Sequence, residues 1–177
     1  NGGLDRNGGP TENAPLRSGK GYAYEGGIRV PFIVRWPGVV PAGSESDAPV
    51  CSVDIFPTVL EGAEVTLPKE YAIDGLSLVG HMKSGGSEAL ARDNLIWHFP
   101  HYRHAPGPYS IIRQGDLKLI HFWEGVDELY NLQNDLGEET NLAESNPEQV
   151  QKLHVSMVSE LERMGAHIPR PNPDFKE

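Results

Sequence analysis

The residues best suited to chemistry stand near the start of the chain, where Gly19-Lys20-Gly21 sets an ammonium between two glycines. Glycine has no Cβ, so the backbone beside Lys20 can come close to a bound anion, and the pattern suits sulfate or phosphate. It is not the phosphate loop of nucleotide-binding proteins, because Gly21 follows the lysine where Ser or Thr is needed and the upstream glycine spacing differs. A solvated loop lysine is the other reading of the same residues. A second concentration of chemistry is Trp97-His98-Phe99-Pro100-His101-Tyr102-Arg103-His104. Its histidines invite a metal reading, but a spacing of three on a strand that runs into a Pro-bounded loop does not put them on one face. Recognition of an anionic substrate by His98, His101 or Arg103 is the functional expectation, and packing with loop polarity the structural one. Glu25 and Arg29 read as a charged pair that steadies the loop after Lys20. The acidic run Asp135, Glu138 and Glu139 lacks the alternation and closing glutamate of a calcium-binding loop, so a polar turn is expected. Cys51 is the lone cysteine and reads as a small buried residue, with no internal disulfide and no CxxC site.

These groups need elements to hold them. Residues 1–27 are Gly-rich, with Pro10 and Pro15, and read as a long structured loop. Ile28 to Trp36 reads as a largely buried strand stopped by Pro37-Gly38, with Pro31 marking a strand entry or edge. Asp54 is placed to cap a short helix that has Pro57 in its first turn and closes at Gly62. A second short helix is expected from Ser77 to Lys83, before Gly85-Gly86. From Asn94 the texture changes to short strands at Leu95 to Phe99, Tyr109 to Arg113, Leu117 to Phe122 and Glu128 to Leu132, a small antiparallel meander. A longer helix begins with Asn146 as cap and Pro147 in the first turn. Its apolar face carries Val150, Leu153, Met157, Val158, Leu161 and Met164, the spacing of a helix packed on a sheet. The tail from Ile168, with Pro169, Pro171 and Pro173, reads as extended.

With 177 residues the chain has the length of one ordinary domain plus a small appendage. Lys and Arg total 15 against 25 Asp and Glu, a formal charge of -10 that argues against nucleic acid or an anionic membrane as main partner. An anionic ligand must therefore be met locally. No apolar run approaches a membrane span. The opening residue Asn1 and the irregular stretch after it make the chain read as a piece of something longer.

The order of several short pieces adds a resemblance. They are Asn1-Gly2-Gly3, Leu16-Arg17-Ser18-Gly19-Lys20-Gly21, Tyr24-Glu25-Gly26-Gly27-Ile28-Arg29-Val30-Pro31, Trp36-Pro37-Gly38, Asp54-Ile55-Phe56-Pro57-Thr58 and Asp74-Gly75-Leu76-Ser77-Leu78. They continue with Arg113-Gln114-Gly115-Asp116-Leu117-Lys118-Leu119-Ile120, Glu128-Leu129-Tyr130-Asn131-Leu132 and Glu138-Glu139-Thr140-Asn141-Leu142-Ala143. Each piece is weak alone, but in this order they resemble the second half of the sulfatase family. The resemblance implies an α/β fold, the terminal part of an alkaline-phosphatase-like sulfatase. In that reading residues 1–92 end the large catalytic domain, and residues 93–177 form a C-terminal antiparallel-sheet subdomain with a long helix and an extended tail.

The resemblance also implies a sulfate ester hydrolase that uses calcium and a formylglycine nucleophile. Asn1 matches the Asn of an Asp-Asn-Gly segment that ligates calcium, and the preceding Asp is not in these residues. Calcium takes about six to eight oxygen donors, so Asn1 could not hold it alone. Lys20 matches the lysine that contacts the sulfate group and offsets its charge during transfer. The formylglycine arises from Cys or Ser in a Cys/Ser-x-Pro-x-Arg motif, which this chain lacks. The nucleophile, a second lysine and a catalytic histidine are thus expected outside it, and this segment alone is expected to be inactive. The partners implied are a sulfated small molecule or glycan and the missing N-terminal portion of the same protein. The setting implied is periplasmic, lysosomal or secreted. The His-rich stretch is similar to a family loop able to reach the mouth of the active site, which gives His98, His101 and Arg103 a substrate-binding expectation. Two other readings stay open: a phosphonate or phosphodiester hydrolase of the same superfamily, and a noncatalytic sulfated-glycan-binding module.

Overall fold

The structure is a computed structural model and describes residues 2–4, 10–66, 70–102, 107–170 and 172–174. Four antiparallel strands pair in chain order: β1 (Leu95–Phe99), β2 (Tyr109–Gln114), β3 (Leu117–Phe122) and β4 (Asp127–Asn131). The meander expected from the turn signals is present, with ends that differ by a residue. Pairing sets Ile111 against Ile120 and Ile112 against Leu119, so neighbouring isoleucines on β2 point to opposite faces. Both faces are covered, which explains why β2 and β3 read as apolar runs rather than as alternating strands.

One cover is α4 (Pro147–Arg163). Leu153, Met157 and Leu161 lie one helical turn apart and are buried against Ile112, Leu119 and Leu129. Each such side chain contributes about 1.5–3 kcal/mol through burial. Asn146 is not the side-chain cap expected of it: its amide donates to the Leu142 carbonyl and Ser145 Oγ, and Pro147 sets the first turn without a cap. Met164 lies beyond the last turn and is exposed.

The other cover is the Gly-rich N-terminal segment. Ala23 and Tyr24, just before the one-turn α1 (Glu25–Ile28), pack on Ile111, Ile120, Phe122, Tyr130 and Leu132. The chain accordingly divides into a unit of residues 1–31 with 94–177 and a second unit of residues 32–93. Residues 1–31 join the C-terminal part because the opening loop is fastened to the sheet by contacts distant in sequence.

In the second unit a single 3-10 turn (Ser52–Asp54) leads into α2 (Ile55–Gly62), and α3 (Val79–Lys83) follows. Asp54 stands before α2 as expected, but its side chain does different work. The buried carboxylate accepts N–H bonds from Cys51 at 2.8 Å and Leu76 at 2.9 Å, and Arg92 pairs with both of its oxygens. Burial alone would push this carboxyl up, yet the Arg92 and backbone hydrogen bonds outweigh it and hold it below its ordinary value. A depressed carboxyl contributes stability that is present above the unfolded value and lost as pH falls through the folded one. Hydrogen exchange of the α2 amides, corrected for intrinsic rates, should therefore show full protection at neutral pH and progressive loss on acidification below the carboxylate range. Asp54→Asn should flatten that dependence.

The strand expected from Ile28 to Trp36 does not form. Ile28 closes α1, and residues 29–36 run outside any helix or strand. Among the described residues none pairs with this stretch, and a strand exists only as a ladder with a partner. Val30, Phe32, Ile33 and Val34 are exposed, Ile33 by 89%, so the expected burial is absent too. Phe32, Val34 and Trp36 line an apolar groove with Ile55, Val59 and Met82.

Candidate functional site

Lys20 lies in the tight loop between Arg17 and α1. The loop folds on its own backbone: Tyr22 N–H donates to the Gly19 carbonyl at 3.1 Å, Lys20 N–H to Gly3 at 2.9 Å and Gly26 N–H to Arg17 at 2.9 Å. Gly21 has φ +98°, a left-handed conformation that side chains resist. A Cβ on Gly26 would collide with the Arg17 and Ser18 carbonyls. The glycines around Lys20 thus have a folding reason as well as the one inferred from sequence. Lys20 itself is exposed, and among the described residues no side-chain partner holds its ammonium. The site offers an exposed cation on a hydrogen-bonded backbone.

Both stems of this loop end on one residue. Arg17 donates from its guanidinium to Tyr130 Oη at 2.9 Å and to the Glu138 carbonyl at 2.7 Å, and lies 3.8 Å over the Tyr24 ring. On the other stem, Glu25 N–H donates to Glu138 Oε2 at 2.6 Å. The Glu25 and Glu138 carboxylates then converge on Lys118 Nζ, at 2.9 and 2.7 Å, with all three side chains buried. Tyr24 and Tyr130 both donate to Glu128, at 3.3 and 2.8 Å. Burial, with the Glu128 charge beside it, pushes the Tyr24 phenol up to about 12 and the Tyr130 phenol higher still, so both remain donors. Burial likewise raises the Glu138 carboxyl against the opposing pull of the Lys118 ammonium.

Sequence reasoning expected Glu25 to pair with Arg29. Arg29 stands 3.7 Å away and is half exposed, whereas Lys118 is the close, buried partner. It also expected a solvated acidic turn. Asp135 fits that, accepting the Glu139 and Thr140 N–H groups, but Glu138 turns inward with φ +52° and is fully buried. Lys118 and Glu138 are therefore the positions missed. A lysine in the apolar run Leu117-Lys118-Leu119-Ile120 was the available signal, and nothing local marks Glu138 as its partner.

His98 belongs to the opposite face of the sheet. Register places it in a polar row with Ser110, His121 and Asp127 on the α4 side. Its Nε2 donates to the His167 carbonyl at 2.9 Å, which leaves Nδ1 to accept from Ser110 Oγ at 2.7 Å. Ser110 Oγ in turn accepts from Trp123 Nε1 at 2.9 Å. Both imidazole nitrogens are thus engaged inside the fold. His121 donates to Asp127 at 2.6 Å and stacks on His154, whose proton affinity is lowered by burial and by His121. His101 is exposed and packs edge-on against Phe99, at 5.1 Å between ring centroids. The structure therefore separates His98 from the Lys20 loop and leaves His101 open to solvent. Arg103, like Asn1 and His104, lies outside the described residues. Among the described residues no group of three His, Cys, Asp or Glu side chains could hold a metal ion. No described helix is long and apolar enough to cross a membrane.

Residues 18–167 match the family model described as N-sulphoglucosamine sulphohydrolase, C-terminal. The chain belongs to the sulfatase family. It is 42% identical over 151 residues to a sulfatase of Formosa agariphila, covering 80% of this chain and 27% of that protein. It is 31% identical over 165 residues to an N-acetylglucosamine-6-O-sulfatase of Bacteroides thetaiotaomicron, covering 89% of this chain and 28% of the relative. A crystal structure of Ps i-CgsB in complex with k-i-k-neocarrahexaose superimposes with a TM-score of 0.72 at 28% identity, covering 89% of this chain and 33% of that one. The fold is thus the C-terminal portion of an alkaline-phosphatase-like sulfatase, as the ordered motifs imply. This sulfatase segment spans about a third or less of the proteins it matches, and its matched span holds Lys20, His101 and the Glu25–Lys118–Glu138 network.

Proposed function

We propose that the protein carrying this segment hydrolyses a sulfate ester, and that Lys20 supplies the positive charge that receives the sulfate group. The observation that supports this reading is an exposed ammonium without a described partner on a loop fixed at both stems. Negative charge grows on the sulfuryl and leaving oxygens as the ester bond breaks. A cation already in place, on backbone that need not reorganise, stabilises that charge most when water is excluded. The relatives above act on or bind sulfated or saccharide ligands by name, which favours a sulfated saccharide as substrate. His101 and Arg103, on the stretch after β1, are proposed to help choose it. His98 contributes instead by holding β1 to β2 and to the chain after α4.

Calcium and formylglycine belong to this proposal through the family resemblance. Asn1, the one calcium donor assigned to this chain, lies outside the described residues, and the described residues hold no cluster that fits the ion. A formylglycine elsewhere in the protein would supply the oxygen nucleophile that attacks sulfur. What this chain's residues do is bind and orient the anion. The protein is proposed to work in the periplasm, in the lysosome or outside the cell.

The test is a substrate panel on the full-length protein: aryl sulfates, 6-O- and 2-O-sulfated monosaccharides, phosphonate monoesters and phosphodiesters. Turnover confined to or strongest on sulfate esters is expected. Preferential phosphonate or phosphodiester turnover would favour the related hydrolases. Binding of a sulfated glycan with no turnover and no dependence on Lys20 would favour a binding module.

A further inference from the structure

The Gly-rich loop is anchored on the sheet by Ala23 and Tyr24, but apolar contact alone does not fix the direction of its two stems. Those stems, Arg17 and Glu25, flank Lys20 and add polar contacts to the C-terminal part of the chain. The polar contacts converge. Glu138 receives Arg17 through its backbone carbonyl at 2.7 Å and the Glu25 N–H through its carboxylate at 2.6 Å. Lys118, on β3, bridges the same two carboxylates from within the sheet, at 2.9 and 2.7 Å. A buried lysine between two buried glutamates carries a desolvation cost that hydrophobic side chains of similar volume would avoid. Its geometry fits a positional role. A short ion contact fixes both distance and direction, and a sheet face with apolar packing alone would allow the loop to slide.

We propose that the Glu25–Lys118–Glu138 network is a positioning device for Lys20, so that the C-terminal sheet works as part of the sulfate-binding apparatus. This inference rests on the reading of Lys20 given above. Lys118, Glu25 and Glu138 touch no substrate in it; they act through the loop. Ordering of that loop precedes binding, and the network keeps the ammonium within reach of the anion without further loss of backbone freedom.

A double-mutant cycle in the full-length protein tests it, with 4-methylumbelliferyl sulfate and glucosamine 6-sulfate as probes. Because Lys118→Met alone leaves two buried carboxylates, the informative variant is Glu25→Gln/Lys118→Met/Glu138→Gln, which removes all the charge and keeps the volume. This triple variant should fold, with the β2–β4 amides still protected from exchange, the Gly19–Ile28 amides exchanging faster, and kcat/KM lowered about 10- to 100-fold. Adding Lys20→Ala to it should lower kcat/KM little beyond the loss Lys20→Ala causes alone, since both changes remove one function. Losses that multiply would overturn the positioning role while leaving Lys20 as the sulfate contact. If Lys20→Ala by itself leaves turnover unchanged, the functional reading fails instead. A triple variant with unchanged exchange and kcat/KM would also overturn the inference.

Discussion

Replacing Lys20 by alanine in the full-length protein is expected to lower kcat/KM for a sulfate ester by about 10²–10³-fold, the usual loss when one preorganised oxyanion-stabilising group is removed. The fold should not notice. Lys20 is exposed and its side chain holds no described neighbour, so thermal unfolding and the circular dichroism of the variant should match the parent. The loss should fall on kcat and on KM together, because the ammonium meets charge already present on the bound ester and more that develops as the bond breaks. Lys20→Arg should recover part of the activity: it keeps the charge but spreads it over a planar group that needs more room. Steady-state kinetics on the three proteins checks this. Unchanged kcat/KM in Lys20→Ala would remove the lysine from the site.

Lys118→Met alone should have the opposite profile, a large effect on stability. It strips the cation from between Glu25 and Glu138, leaving two buried carboxylates, of which Glu138 keeps the Glu25 backbone N–H as a donor. Breaking one side of a buried ion network costs about 3–5 kcal/mol, because the remaining charge is desolvated and unpaired. Chemical denaturation followed by exchange at the β2–β4 amides should report a loss of that order. Adding Glu25→Gln and Glu138→Gln should return most of it, and a single variant as stable as the parent would show that the network carries little strain or charge when buried. Acidification should also narrow the deficit, since burial already raises the Glu138 carboxyl and its protonation removes unpaired charge.

The two expectations separate roles that the sequence presents alike. Lys20 and Lys118 both stand in short apolar or Gly-rich surroundings, yet one is exposed and the other is fully buried. Alternation along β3 assigns Lys118 to the face of Tyr130 and Ile120, where water is excluded and a partner is required. That partner comes from a turn twenty residues later and from a helix near the other end of the chain. No local pattern encodes such a meeting.

Local order was legible because it depends on near neighbours. Turn residues such as Gly115, with φ +59°, set the hairpins, and the apolar spacing of Leu153, Met157 and Leu161 set the helix and its buried face. The ordered motifs also placed the chain in its family. The failures have a common cause. Ile28 to Trp36 carries strand chemistry, but pairing is a property of two segments, and none of the described residues provides the second. Cross-strand register likewise gives both nitrogens of His98 to Ser110 and His167, contacts that no local pattern announces.

The sequence by itself determined the meander, the amphipathic helix and the family, since each rests on residue type and short spacing. The tertiary structure alone decided that the Lys20 loop is fastened to the C-terminal sheet, and by which charges. Burial makes that decision: once Lys118 is removed from water, Glu25 and Glu138 satisfy it among the described residues, and their convergence exists only in the folded chain.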